Sequence, residues 1–289
     1  VVCVPQFAFM DEPPTRRVDP HEIDPVRLPS LDELGRDLLN VSAAERALSI
    51  ARPLVCVGMY GVFAAQGWWG PAIVAVGALM FITYVSTTHD LVHRTLGFSR
   101  KANEFWLCVL ELLVLRSGHA FRRTHLEHHR HFPEEDDVEG RVARMTWWRA
   151  LLDGVGNQVR LFIWARGRAP KDERRWMWCE AAGVIAIWGA SIACVGTRPE
   201  LLVYCVTVMV GSWVYPFATV WVPHRAEGKT PLEQTHLLRG RWVPELFLQH
   251  TYHLEHHLYP SVSSHRWPEL GRRLDAYFEG RDVKAIRTW

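Results

Sequence analysis

The chain has 289 residues, of which 48% are hydrophobic, with 33 basic and 31 acidic residues and a formal charge of +2. That composition excludes a collagen-like or disordered chain, and no nucleic-acid partner is expected. The charged residues lie between long uncharged runs, which excludes one soluble globule for the whole chain.

Residues 1–47 read as a charged, Pro-containing cytoplasmic arm with a short helix near Ser30 to Leu39; VVCVPQFAF at its start is too short and lacks the flanks of a signal peptide. Residues 48–289 read as a single membrane domain. From Pro53 to Thr88 there is no Asp, Glu, Lys or Arg, a stretch too long for one helical crossing of a hydrocarbon core about 30 Å thick. Gly67, Trp68, Trp69, Gly70 and Pro71 supply a reversal, so the run predicts a hairpin with spans near 50–67 and 71–90. Ala102 to Leu115 is apolar but short and carries Glu104 and Glu111, which favours a re-entrant or interfacial helix. Two further uncharged runs, 181–197 and 201–223, flank a turn at Arg198, Pro199 and Glu200, and predict a second hairpin with spans near 180–197 and 201–222.

The fold expected is therefore an all-α integral membrane protein: four transmembrane helices in two hairpins, a re-entrant or interfacial helix, and a cytoplasmic helical cap. Basic residues crowd the segment from His93 to Arg175, whereas the two hairpin turns hold only Arg198. By the positive-inside rule both termini and the middle segment face the cytoplasm, as in a bacterial inner membrane or its equivalent. The 14 Trp suit a protein that meets a membrane interface. The six Cys form no CxxC and mostly sit in or beside apolar runs, where they act as small hydrophobes and not as disulfides or zinc ligands.

The 15 His need another explanation. They concentrate in HDLVH at His89 to His93, HLEHHRH at His125 to His131 and HLEHH at His253 to His257. All three clusters fall on the same predicted side of the membrane. On a helix, positions i, i+3 and i+4 share a face, so His89 with His93, His125 with His128 and His129, and His253 with His256 and His257 can each converge. Eight imidazoles exceed what one four-coordinate zinc takes but suit two six-coordinate ions; the count and the membrane setting favour two irons. His224, in VPHR at the mouth of the fourth span, is placed to enter as a ninth ligand. His131, His250 and Asp90 are candidates for the outer shell, Asp90 by accepting a ring N–H from a ligand. His119, His236 and His265 read as ordinary surface or interface residues, and His21 as outside the site. Glu127 and Glu255 point away from the histidine faces, and HExxH is absent, so a zinc-protease reading lacks its motif.

Together the three clusters resemble the histidine boxes of the membrane fatty acid desaturase superfamily. VPHR at 222–225 and HTYHLEHHLYPSV at 250–262 look most like bacterial carotenoid ring hydroxylases and ketolases within it. The resemblance implies a diiron centre held by His89, His93, His125, His128, His129, His224, His253, His256 and His257. It also implies O2 as co-substrate and oxidation of a hydrophobic lipid such as β-carotene. HDLVH, where the hydroxylases usually carry small residues after the Asp, and QHTYH, where they usually carry QNYH, depart from that pattern and leave acyl-lipid desaturation as the alternative. Side-chain acid–base chemistry cannot break an unactivated C–H bond, so a metal must supply the oxidant.

No GxGxxG or CxxCH is present, so electrons have to come from a separate protein. A ferredoxin or similar soluble donor is expected at Arg166, Arg168, Lys171, Arg174 and Arg175, a stretch that could equally hold the anionic membrane surface. Substrate is expected to enter from the bilayer through a slot that Trp213, Tyr215 and Phe217 could line. From other classes, a zinc-dependent membrane hydrolase needs fewer His and no O2, and a metal transporter needs acidic relay residues that the uncharged runs lack.

Overall fold

The computed structural model describes residues 27–288, so Cys3, His21 and most of the N-terminal arm lie outside the described residues. The expected helix near Ser30 is present as α1 (Leu31–Leu34), opened by a reciprocal cap between Ser30 and Glu33, and followed by a 3-10 turn at Arg36–Leu39. Leu34 and Leu38 insert into a core formed with Leu254, Trp267, Leu270, Leu274 and Phe278. Arg273 Nη2 donates to Asp37 at 2.6 Å and ties this segment to the C-terminal helix.

Among the described residues, four helices are long and apolar enough to cross a membrane. The first hairpin pairs α2 (Ala43–Ala65) with α3 (Trp69–His93) across a turn at residues 66–68. α2 starts earlier than the uncharged run does, because Ser42 and Glu45 cap its N-terminus and a helix accepts Arg46 and Arg52 at its polar end. Next comes α4 (Arg100–Leu113), whose 14 residues reach about 21 Å, too short to cross. α5 (Gly118–His131) carries the middle histidine cluster.

After it stands a helix that composition did not reveal, α6 (Trp147–Arg168), which packs on α5 and on the last span. Its exposed Leu152, Val155, Val159 and Ile163 form an apolar stripe at helical spacing, while Arg149, Asp153 and Arg160 interrupt the hydropathy signal. The second hairpin is α7 (Lys171–Ala193) and α8 (Pro199–Trp221). α7 begins well before residue 180, since Asp172 and Glu173 sit favourably in the first turn of a helix that continues into the apolar run.

Both spans that deliver histidines carry a π-helical turn just before the histidine: Thr83–Thr87 precedes His89, and Phe217–Trp221 precedes His224. A π turn inserts an extra residue and rotates the residues C-terminal to it, a device found often at functional sites. The rest of the chain forms α9 (Val243–Leu246), α10 (His253–Leu258) and α11 (Trp267–Gly280), with a two-residue parallel pairing of β1 (Leu238–Arg239) and β2 (Ile286–Arg287). The histidines gather at the end of the bundle away from both hairpin turns, beside the core that joins α1, α10 and α11.

Candidate metal centre

His89 and His93 lie on the last turns of α3, which Arg94 ends in the left-handed conformation. α5 presents His125, His128 and His129, α10 presents His253, His256 and His257, and His224 stands just past α8. The structure brings these nine together as two adjoining groups. In the first, one ring nitrogen from each of His89, His93, His125, His129 and His256 lies within 4.8 Å of all the others. In the second, those of His128, His224 and His257 do the same, and His253 Nε2 joins at 3.2 Å from His224 Nε2 and 3.1 Å from His257 Nε2.

The inward nitrogens face one another at 3.1 Å for His125 and His89, 2.8 Å for His256 and His129, and 2.9 Å for His128 and His224. Neighbouring ligands about 2.1 Å from a shared ion stand roughly 3 Å apart, so this convergence fits metal coordination. Burial first, and then the charge of neighbouring imidazoles, holds His125, His129, His224, His253, His256 and His257 well below the ordinary histidine value. Neutral imidazole is the form that binds a metal.

The outward ring nitrogens of several of these histidines are held in place. His125 Nδ1 lies 2.9 Å from Glu139, His128 Nδ1 lies 2.7 Å from Asp137, and His224 Nδ1 lies 2.8 Å from the Val220 carbonyl. Asp137 also accepts the backbone N–H groups of Glu139 and Gly140, at 3.1 and 2.9 Å. Burial would lower His128, but the Asp137 carboxylate outweighs it and raises that ring. Burial pushes the Glu139 carboxyl up to about 7. Such partners fix tautomer and ring orientation. Reading only the carboxylates inside the boxes missed both; the signal available was the acidic run EEDD at 134–137 with Glu139, just after the second cluster.

The three outer-shell candidates fare differently. Asp90 is buried but accepts from Ser263, Ser264 and Thr95, at 3.1, 2.7 and 2.8 Å, and so pins α3 to the segment before α11, with no histidine ring among these partners. His131 falls outside both groups. Six residues beyond His125 it has turned about 240° around the helix, and it lies 3.5 Å from Glu127 with 38% of its side chain exposed. His250 is half-buried, its two ring nitrogens covered and without a hydrogen-bond partner among the described residues, and its ring lies 4.9 Å from that of His253. Burial brings it down to about 4.

His250 also borders an apolar cavity of 280 Å³ between α3 and α8, which Met80, Phe81, Tyr84, Tyr215 and Phe247 line. Of the three aromatics expected to line a slot, Tyr215 does; Trp213 sets its carbonyl against Gly154, and Phe217 stacks on Trp221 at 4.9 Å.

His119, expected at a surface or interface, is instead 1% exposed. Its nitrogens lie 2.7 Å from Glu180 and 2.7 Å from Glu104, and its ring stacks on Trp176 at 5.0 Å. Burial opposes its charge, but those two hydrogen bonds outweigh it and raise the ring. His265 meets Ser49 of the same chain at 2.8 Å, and His236 is half-buried beside Pro223. Glu127 and Glu255 do turn away from the ligand faces, Glu127 to Arg130 and Glu255 to Arg239.

Comparison of the chain with curated proteins yields no match. A model of the family described as fatty acid desaturase matches residues 50–289, which takes in all four spans except the start of the first and every histidine of the two groups. The chain is a membrane enzyme belonging to the fatty acid desaturase family.

Proposed function

We propose that the protein is a diiron, O2-dependent oxidoreductase acting on a hydrophobic lipid taken from the bilayer. We further propose a β-carotene-type carotenoid as substrate, its ring hydroxylated or converted to a ketone. The observation that carries the metal reading is the convergence of nine imidazoles, six buried and three half-buried, as five and four. Five, in the first group, and four, in the second, would each hold one ion, and more nitrogens are gathered than a single zinc site takes. The bound metal would supply the O2-derived oxidant that an unactivated C–H bond requires.

The chain's own contribution is positioning. Glu139 and Asp137 hold the rings of His125 and His128, and the Val220 carbonyl holds that of His224. Trp267 covers the site, its ring 5.0 Å from His256 and 5.5 Å from His89, and keeps water from that side. The apolar cavity that His250 borders offers a lipid a place between α3 and α8, and its aromatic lining suits a conjugated ring system. The sequence signal for a carotenoid is the pair of runs VPHR and HTYHLEHHLYPSV; the family match favours the second reading, desaturation of an acyl chain.

Expression in a host that makes both β-carotene and ordinary lipids separates the two. Hydroxylated or ketonised carotene with unchanged acyl chains is expected, and a new acyl double bond with unchanged carotene rejects the carotenoid reading.

We also propose that the site and both termini face the cytoplasm, as the basic loops favour. There a ferredoxin-like donor would dock on the turn between α6 and α7, where Arg166, Arg168, Lys171 and Arg175 are exposed. Charge reversal of these four is expected to cut donor-dependent turnover at low salt, with turnover driven by a small chemical reductant unchanged. Equal loss with both reductants would reject the docking surface.

A further inference from the structure

The short helix α9 turns its large apolar side chains outward: Trp242, Leu246 and Phe247, at and beside its ends, are 66%, 72% and 43% exposed. Its inner side is polar. Pro244 is buried, and Glu245 and Gln249 border a small cavity of 160 Å³ that Arg52, Ser264 and His265 also line. A helix that faced water would be built the other way round, with its Leu and Phe against the protein. Residues 242 and 246 stand one helical turn apart with 243 and 247 beside them, so the exposed side chains make one patch. Single exposed hydrophobes need no explanation, whereas a patch of this kind marks a contact.

A contact with α3 sets the depth of the patch, because the ring of Phe247 meets that of Phe81 edge-on at 5.9 Å. Phe81 stands twelve residues beyond Trp69 and eight before His89, which is about 18 Å and about 12 Å along the helix. With Trp69 at one interface, a hydrocarbon layer about 30 Å thick ends near His89. Phe81 lies inside that layer, and α9 therefore stands beside the span and not above it. Arg241, its guanidinium 5.0 Å from the centre of the Trp242 ring, has the reach to keep its charge among headgroups while the ring stays at their level. We infer that α9 is a bilayer-contact surface: Trp242, Leu246 and Phe247 insert into the leaflet on the histidine side, at the boundary between headgroups and acyl chains. Phe247 also lines the apolar cavity between α3 and α8, so this contact fixes the cavity's edge within the leaflet. It does not depend on which lipid the metal centre oxidises.

Fluorine-19 NMR of the full chain, labelled with fluorotryptophan and held as one copy per phosphatidylcholine nanodisc, tests it. The Trp242 line is identified by its loss in Trp242→Phe. Two broadening agents are compared, each at the dose that halves the mean height of the Trp lines: phosphatidylcholine with a nitroxide near the ester end of one acyl chain, and a gadolinium chelate confined to water. The Trp242 line is expected to broaden more with the nitroxide lipid than with the chelate. Phe247→Asp, which breaks the contact with Phe81, is expected to reverse that order, while the line of the buried Trp267 keeps its position and shows that the fold holds. Stronger broadening of Trp242 by the chelate in the wild type would overturn the inference and leave the patch as a docking face for a soluble protein or a second copy. An unchanged order in folded Phe247→Asp would overturn the depth set by α3.

Discussion

His256→Ala is expected to remove iron from the first histidine group and to lower turnover far below wild type. His256 is fully buried on α10, its Nε2 is 2.8 Å from that of His129, and its ring is 4.2 Å from that of His89. α10 joins α3 and α5 at the site through this residue, so its loss opens the five-membered group and leaves a void beneath Trp267. Losing an outer-shell partner costs about 10- to 100-fold in affinity or activity, and losing an inner ligand exceeds that. Asp137→Asn should therefore fall in the 10- to 100-fold range, because an amide still reaches His128 but no longer carries the charge that orients it. His131→Ala, outside both groups, should change turnover less than about twofold. Metal content by mass spectrometry together with turnover checks all three. Wild-type iron and turnover in His256→Ala would remove this residue from the site.

Gly154→Ala is expected to damage the protein as a whole. Gly154 lies where α6 crosses α8, and a Cβ there would stand 1.8 Å from the Trp213 carbonyl oxygen and 2.7 Å from its carbon. A backbone carbonyl cannot swing aside as a side-chain end can, so α8 must move. Overpacking of this kind costs about 1–3 kcal/mol and occasionally more. Because α8 leads through its π turn to His224, the second histidine group should lose iron as well. Gly156, on the same helix, has only the far end of Arg160 near it, at 3.9 Å, so Gly156→Ala should be neutral or stabilise by up to about 1 kcal/mol. Thermal unfolding in detergent distinguishes the pair. A Gly154→Ala protein with the wild-type midpoint and iron content would contradict the close crossing.

The two hairpins were legible because uncharged runs of membrane length, interrupted by Gly, Trp, Pro and a short charged turn, have few other uses. Their helix ends were less so. Ser42 and Glu45 extend α2, and acidic residues in the first turn extend α7, by local capping that hydropathy does not register. α6 stayed hidden because its apolar stripe is interleaved with Arg149, Asp153 and Arg160. The inner site was legible from i, i+3, i+4 spacing, and the same rule, carried to His131, shows why that residue turns away.

The surroundings of the ligands depended on contacts between distant segments. Asp137 and Glu139 reach His128 and His125 only because their loop folds back along α5. Asp90 is claimed by Ser263 and Ser264, far along the chain, and His119 is buried because α4 and α7 each bring it a carboxylate. No local pattern announces partners of that kind.

That the nine histidines hold two metal ions of one oxidising centre is tested most directly by growing the protein with iron-57, purifying it in detergent, and recording metal content and the Mössbauer spectrum together. About two irons per chain in a magnetically coupled site are expected. One zinc per chain and no iron, persisting after anaerobic iron reconstitution, would contradict the two-iron centre and bring the zinc-dependent hydrolase forward.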